Sequence, residues 1–374
     1  MSDASSKQAM TYFDRIKTLA EKFPAEIADF STPRHPASQP TQATSNFITN
    51  KEQGDWAENI FKDAVNNTSK NYVAVKYGKS DDIIAGDPGF TEFFHEFQQE
   101  LDAIGKRPDI LIFKKADFDK NLGYDISHIP HAQIDEYVKK AIAGVEVRSS
   151  AYLADVNERI VIAKISESTS EALRIKQAIL EEYADLRTNK KCQDAYAKIG
   201  ELTEESILTW KLKKPSFRTE ERLKAFSDEV GRLNEAVKGV QDTNHLSITP
   251  KEEDLKVVYK WIETFNVPHY YVQVFFDKMY GISFEDILST VTKPENEGVL
   301  YRVGKDVKNQ NKKTIKITSI YTTLLADKID EPNYEGTRKE MEKGSLLFYI
   351  KFRGGAAYLN VDNFKQLFNI EGDF

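Results

Sequence analysis

The sequence predicts a mixed α/β fold, interrupted by a long helical stretch and closed by a β-rich region. Three observations support this. Short apolar runs of strand length alternate with helix-periodic segments over residues 50–165 and again over 245–292. Residues 166–240 between them are charged, rich in Ala, Leu, Glu and Lys, and almost free of Gly, as long solvated helices are. From about residue 293, short alternating segments with turn signals between them replace the helical period. The expected organisation is an N-terminal helix and arm (1–49), a first part of the α/β core (50–165), a helical insertion (166–244), a second part of the core (245–292) and a small β-rich module (293–374).

Taken in order, Met10, Phe13, Ile16, Leu19 and Ala20 recur at helical spacing and predict an amphipathic helix over 8–29. Residues 31–45, rich in Ser, Thr, Pro and Gln, read as an exposed loop or arm, either a plain linker or a segment able to embrace a partner. A helix follows from Asn50, with Asp55 and Glu58 near one face of its first turns. Both acids also complement a helix dipole, which is their purely structural reading. Asn71–Tyr77 alternates as a first strand, and residues 87–104 form another helix. The loop over 116–132 contains His128 and His131, which read as ordinary polar residues because neither a Cys nor a third His lies nearby to complete a zinc site. Ile160, Val161 and Ile162 read as a hairpin-like piece. Helices broken near Lys214-Pro215 fill the insertion, as a solvated hairpin or as a contact surface for a partner. Next, Thr249 is the expected N-cap and Pro250 the first residue of a helix to about Thr264, with Glu252, Glu253 and Asp254 in its first turn. Val267–Phe276 is a strongly apolar strand that turns into Gly281–Phe284. Strands are expected at Val299–Val303, Thr314–Ile320, Leu346–Phe352 and Ala356–Leu359. Lys305, Lys308, Lys312, Lys313 and Lys316, with Arg302 before them, make part of this region basic.

At 374 residues the chain is long for one compact domain. The apolar runs are too short to span a bilayer, and the first residues lack an apolar segment of signal-peptide type, so a cytoplasmic location is expected. A single cysteine, Cys192, excludes an internal disulfide framework and a cysteine-based zinc site. A net charge of −7 argues against a surface that coats nucleic acid indiscriminately, yet a clustered minority of the 52 Lys and Arg would suffice for a local basic cleft.

The stretch that carries chemistry is Gly144–Ser150. It reads as a short buried strand with Glu146 and Arg148 on one face, because residues two apart in a strand point the same way. Upstream, in Lys106–Phe113, Asp109 opens a second apolar run. Two carboxylates brought together by neighbouring strands make a hard oxygen site suited to Mg²⁺. Phosphodiester hydrolysis asks for such a site, with a cation nearby to steady developing charge.

The Pro-Asp then Glu-x-basic pattern resembles the PD-(D/E)xK nuclease core. Gly54-x-x-x-Glu58, Arg107–Phe113, Val145–Ser150, Ser247–Leu255 and Tyr270–Asp277 follow one another in an order similar to that of type II restriction endonucleases, most like the group that includes AccI. The resemblance covers roughly residues 50–160 and 245–290 and is thin elsewhere. It implies an Mg²⁺-dependent endonuclease that cuts double-stranded DNA at a short specific site, works as a homodimer on a palindrome, and has a cognate DNA methyltransferase in the same host. By the resemblance, Asp109 and Glu146 correspond to the metal carboxylates and Glu58 to the helix acid that supports them, while Arg148 and Ser149 match the positions after Glu146. One departure stands out: the cation two residues after Glu146 is Arg148, and arginine is a poorer proton shuttle than lysine. Lys251, at the start of the next helix, is the candidate to supply the missing ammonium, and a site that uses both cations is expected. A local ion pair of Lys251 with Glu253 or Asp254 is the alternative. Base-reading side chains cannot be assigned; the insertion and the lysine-rich C-terminal region are the candidates.

Two other readings stand beside this one. A sequence-specific DNA-binding protein with a degenerate nuclease core is favoured by Arg148 and disfavoured by the presence of both carboxylates. A nuclease acting on DNA form is disfavoured by the absence of a phosphate-binding Gly-x-x-x-x-Gly-Lys-Ser/Thr string.

Overall fold

A computed structural model describes residues 10–79, 83–306 and 312–374. The chain forms two compact units, one from the residues up to Ala154 together with Ser247–Phe374, the other from Asp155–Leu246.

The first unit is built on a seven-stranded mixed sheet. Its strands are β1 (Tyr72–Lys76), β2 (Ile110–Lys114), β3 (Ala143–Ser149), β5 (His269–Val274), β6 (Met279–Ser283), β9 (Thr323–Ile329) and β12 (Ala357–Leu359), in that spatial order. Every neighbouring pair is antiparallel except β3 and β5, which run parallel. Parallel neighbours need a long crossover, and here the connection contains the whole second unit.

Alternation along the strands divides the sheet into two chemically different faces. Ile110, Ile112, Val145, Val147, Tyr270, Val272 and Val274 join one core cluster with Ala57, Phe61 and Ala64 of helix α2 (Ser45–Thr68) and Phe364 of α10 (Val361–Leu367). In the parallel pair the intervening positions match Gly144 with His269, Glu146 with Tyr271 and Arg148 with Gln273. This polar face is met by α8 (Glu252–Phe265): the Trp261 ring packs so closely on Gly144 that a Cβ there would lie 2.9 Å from its Cη2. α8 in turn packs against α3 (Phe90–Ile104) and α1 (Tyr12–Ala20).

Several expectations are corrected. The N-terminal helix stops at Ala20, because Pro24 cannot continue it and Phe23 turns in against Phe30, which meets Tyr259; its expected start before Met10 lies outside the described residues. The segment over 31–45 is the expected exposed loop up to Thr44, anchored at two points: the Arg34 guanidinium donates to Asp102 Oδ1 at 2.7 Å and to the Gln98 carbonyl at 2.9 Å, and Ala43 is buried. The C-terminal strands do not form a separate module. β9 and β12 extend the central sheet, β7 (Tyr301–Asp306) and β8 (Lys312–Thr318) pair with the short β4 (Ser247–Ile248), and the hairpin of β10 (Asn333–Glu340) and β11 (Leu346–Arg353) packs on α2. Lys308 lies outside the described residues.

The second unit holds α5 (Ala154–Glu182), α6 (Gln193–Gly200) and α7 (Glu221–Gln241) around Ile175, Ile179, Phe226, Val230, Leu233 and Val237. The expected hairpin-like piece at Ile160–Ile162 is three residues of α5. Its run of β-branched residues imitates a strand, but β-propensity is a preference of context and the flanking helix formers decide.

Gly105 ends α3 with φ +83°, and a Cβ there would lie 2.3 Å from the Val257 carbonyl oxygen of α8. Gly89, with φ +80°, has nothing within 4 Å. Gly105→Ala is therefore expected to cost about 3 kcal/mol or more, combining left-handed strain with overlap, while Gly89→Ala costs about 1 kcal/mol. Urea unfolding followed by tryptophan fluorescence will separate the two.

Candidate active site

The carboxylates singled out in the sequence meet in one cleft of the first unit. Glu58, Asp109, Glu146, Arg148 and Lys251 all line it, together with Lys106. Each is delivered by a different constraint. Asp109 stands one residue before β2, and the pairing of Ile110 with Val145 carries it beside Glu146 on β3. Its backbone carbonyl accepts the N–H groups of Tyr77 at 2.9 Å and Gly78 at 3.1 Å. Its side-chain Oδ2 accepts the Val147 N–H at 2.7 Å. Gly78 permits this approach, since a Cβ on it would lie 2.9 Å from the Asp109 Cα. Glu58 comes from α2 and has the Lys76 ammonium at 3.6 Å.

Glu146 is buried, and its two oxygens have opposite surroundings. Oε1 receives Lys106 Nζ in a short contact and Arg148 Nη2 at 3.0 Å. Oε2 is buried without a hydrogen-bond partner. The same Arg148 Nη2 also meets Asp254 Oδ2, in the first turn of α8. Lys106, Glu146, Arg148 and Asp254 thus form one chain of alternating charge. Behind it, on the polar face of the sheet, His269 is fully buried among the rings of Trp261, Tyr271 and Phe284. Burial, reinforced by the Lys106 and Arg148 charges, pushes the His269 imidazole down to about 3, so it is neutral across the physiological range.

Burial raises the Asp109 carboxyl well above its ordinary range, and Glu146 and Glu58 add to the rise against the opposing pull of Lys106. Glu58 is pushed up to about 7, first by burial and then by Asp55 and Glu146, with Lys76 working the other way. Burial alone would lower the Lys106 ammonium, but Glu146 and Asp254 reverse this and raise it. Burial opposes the ionised form of Asp254 as well, yet Lys106, Arg148 and Lys251 hold its carboxyl below the ordinary value.

Among the described residues, no group of three or more His, Cys, Asp or Glu side chains stands assembled as a metal cage. The donor set is nevertheless compatible with a hard cation. It consists of carboxylate oxygens that disfavour one another's ionisation, and Glu146 Oε2 is a buried acceptor with no donor.

One sequence expectation changes at this site. The N-cap of α8 is Lys251 in place of Thr249, because the Ile315 N–H bonds to the Pro250 carbonyl at 3.0 Å and Lys251 bridges Thr314, keeping both residues extended. Lys251 lines the cleft, while it is Arg148 that pairs with Asp254. Lys106 and Asp254 were not among the expected site residues. Lys106 lies three positions before Asp109 in the motif segment itself, and that proximity was the available signal; Asp254 was hidden among acids that suit any helix start. Of the two loop histidines, His128 is exposed, and His131 opens α4 (His131–Val138) with its Nδ1 3.2 Å from Asp135 Oδ2.

The sheet and this cleft define a mixed α/β protein with a concave site where carboxylates and cations are packed together. The sequence model of the AccI restriction endonuclease family matches residues 10–374, and the chain belongs to that family. It is accordingly a nuclease acting on DNA. The match extends through the insertion and the C-terminal strands, where the sequence resemblance was thin. No curated protein and no solved structure matches the chain.

The raised Glu58 carboxyl gives a pH signature. The folded protein keeps a proton that the unfolded chain releases near pH 4.5, so this contribution to stability is complete below that pH and is lost as pH rises to about 7. Glu58→Gln has no such proton. Without divalent ions, the melting temperature of the native protein is expected to fall relative to Glu58→Gln between these limits; parallel profiles would show that Glu58 titrates normally.

Proposed function

We propose that the protein is a type II restriction endonuclease with a PD-(D/E)xK-type core, hydrolysing phosphodiester bonds of double-stranded DNA at a short specific site with Mg²⁺. The observation that carries this reading is the meeting of Glu58, Asp109 and Glu146 with Lys106 and Arg148 in one cleft, in a chain of a restriction endonuclease family.

In this reading Asp109 and Glu146 hold the Mg²⁺, with Glu58 as the supporting acid. A Mg²⁺ ion held by these residues would supply polarisation of the phosphate and a water of lowered pKa. The Val147 N–H fixes the direction of the Asp109 carboxylate by its bond to Oδ2. Arg148, held between Glu146 and Asp254, supplies a fixed positive charge and moves no proton, because a guanidinium stays protonated. Lys251 lines the cleft from the N-terminus of α8, where an ammonium is disfavoured by the helix dipole and favoured by a phosphate. Homodimerisation on a palindromic site, a protective methyltransferase in the same host and a cytoplasmic location belong to the same reading. It agrees with the absence, among the described residues, of a helix long and apolar enough to cross a membrane.

Incubation with phage-sized DNA in Mg²⁺ and in EDTA tests the whole reading. Discrete Mg²⁺-dependent bands are expected. A smear would remove sequence specificity, and intact DNA with a native-gel shift would favour a DNA-binding protein with a degenerate core. Asp109→Asn and Glu146→Gln are each expected to lower the single-turnover rate by about 10³-fold or more while DNA binding in Ca²⁺ survives. Lys251→Ala is expected to slow the same step by more than tenfold, about 1.4 kcal/mol of barrier; a smaller effect would remove Lys251 from the chemistry.

A further inference from the structure

We propose that Lys106 is a catalytic ammonium of this site beside Lys251, and that in the metal-free protein it neutralises the Glu146 carboxylate, a task the divalent cation takes over on binding. This rests on the Mg²⁺ reading above and adds a residue and an exchange to it.

The backbone leaves Lys106 little freedom. Gly105 turns the chain out of α3 with φ +83° and fits against the Val257 carbonyl, and the Lys106 N–H donates to that same carbonyl at 3.0 Å. The side chain starts from this clamped point and reaches Glu146 Oε1. Glu146 is the one acid paired with Lys106 among the described residues.

Arg148 is differently placed. Its Nη2 is shared between Glu146 Oε1 and Asp254 Oδ2, and its Nε is buried without a partner. Asp254 holds it from the side of α8, and it cannot give up its charge. A divalent ion on Glu146 would face both cations at contact range, where like charges repel by several kcal/mol at an effective dielectric near 20. One of the two must yield. Arg148 retains Asp254; Lys106, on a flexible four-carbon stem, loses its one partner and swings into the cleft it already lines. There its ammonium stands among the acids, where the scissile phosphate would sit. The lysine absent from the strand position after Glu146 is thus supplied from the segment before Asp109.

Lys106→Met keeps the stem and removes the charge. Calorimetric titration with Ca²⁺ in the absence of DNA is expected to show roughly tenfold tighter binding than in the native protein, because a competing cation is gone. The Mg²⁺ single-turnover cleavage rate is expected to fall at least 10²-fold. Unchanged or weaker Ca²⁺ binding, or cleavage within a few-fold of the native rate, would overturn the proposal. Should the variant not fold, the native protein still decides the matter. Acylation of Lys106, read by mass spectrometry, should rise several-fold when Ca²⁺ is added, and constant or reduced labelling overturns the exchange. The two readings fail differently: a native protein that neither binds divalent ions nor cleaves DNA overturns the metal reading and this proposal together. A native protein that does both while Lys106→Met matches it overturns this proposal alone.

Discussion

One carboxylate, Glu146, sits at the centre of the first unit's charge balance. It is buried on the polar face of the sheet, and a lone buried charge would carry a desolvation cost of several kcal/mol. Lys106 and Arg148 offset that cost from two directions, and Asp254 balances the surplus positive charge. The four come from three pieces of chain, with Glu146 and Arg148 both on β3, so the network joins the turn before β2, the strand β3 and the helix α8. Elements of quite different sequence are thereby tied to one point, and the close packing of Trp261 on Gly144 follows from the same approach of α8 to the sheet.

The topology serves this arrangement. Only a parallel β3–β5 pair sets Glu146 beside Tyr271 and Arg148 beside Gln273 while leaving the ends of β2 and β3 open to a cleft. A parallel pair demands a long crossover, and the insertion of a helical unit at that crossover leaves the antiparallel neighbours undisturbed. The face filled by α2 and α10 is apolar; the opposite face buries Val75, Leu111 and Phe113 as well, and carries its charge where β3 meets β5. Hydrophobic burial on both faces lets a stable sheet carry so costly a site.

Much of the site could be read from residue order alone. Asp109 before an apolar run and Glu146 inside another are recognisable because strands alternate and carboxylates in buried strands need a reason. Glu58 came only from the family resemblance, since an acid in the first turns of a helix is otherwise explained by the helix dipole. The fold was legible where apolar runs were long, as in β2, β3 and β5. It was misread where β-branched residues lay inside a helix, at Ile160–Ile162, and where β9 and β10 were too weakly patterned to be seen.

The sequence by itself determined the types of group available, the mixed α/β class, a carboxylate before one apolar run and another inside the next, and the lack of a lysine two places after Glu146. Those are properties of local pattern. The partner of each charge was decided by tertiary structure alone. Lys106 and Glu146 are forty positions apart, and Arg148 and Asp254 are separated by 106. Ion pairing depends on distance in space and on burial, and neither is encoded in spacing along the chain. For the same reason the N-cap of α8 is Lys251 and not Thr249: β8, distant in sequence, bonds to the Pro250 carbonyl and keeps the backbone there extended.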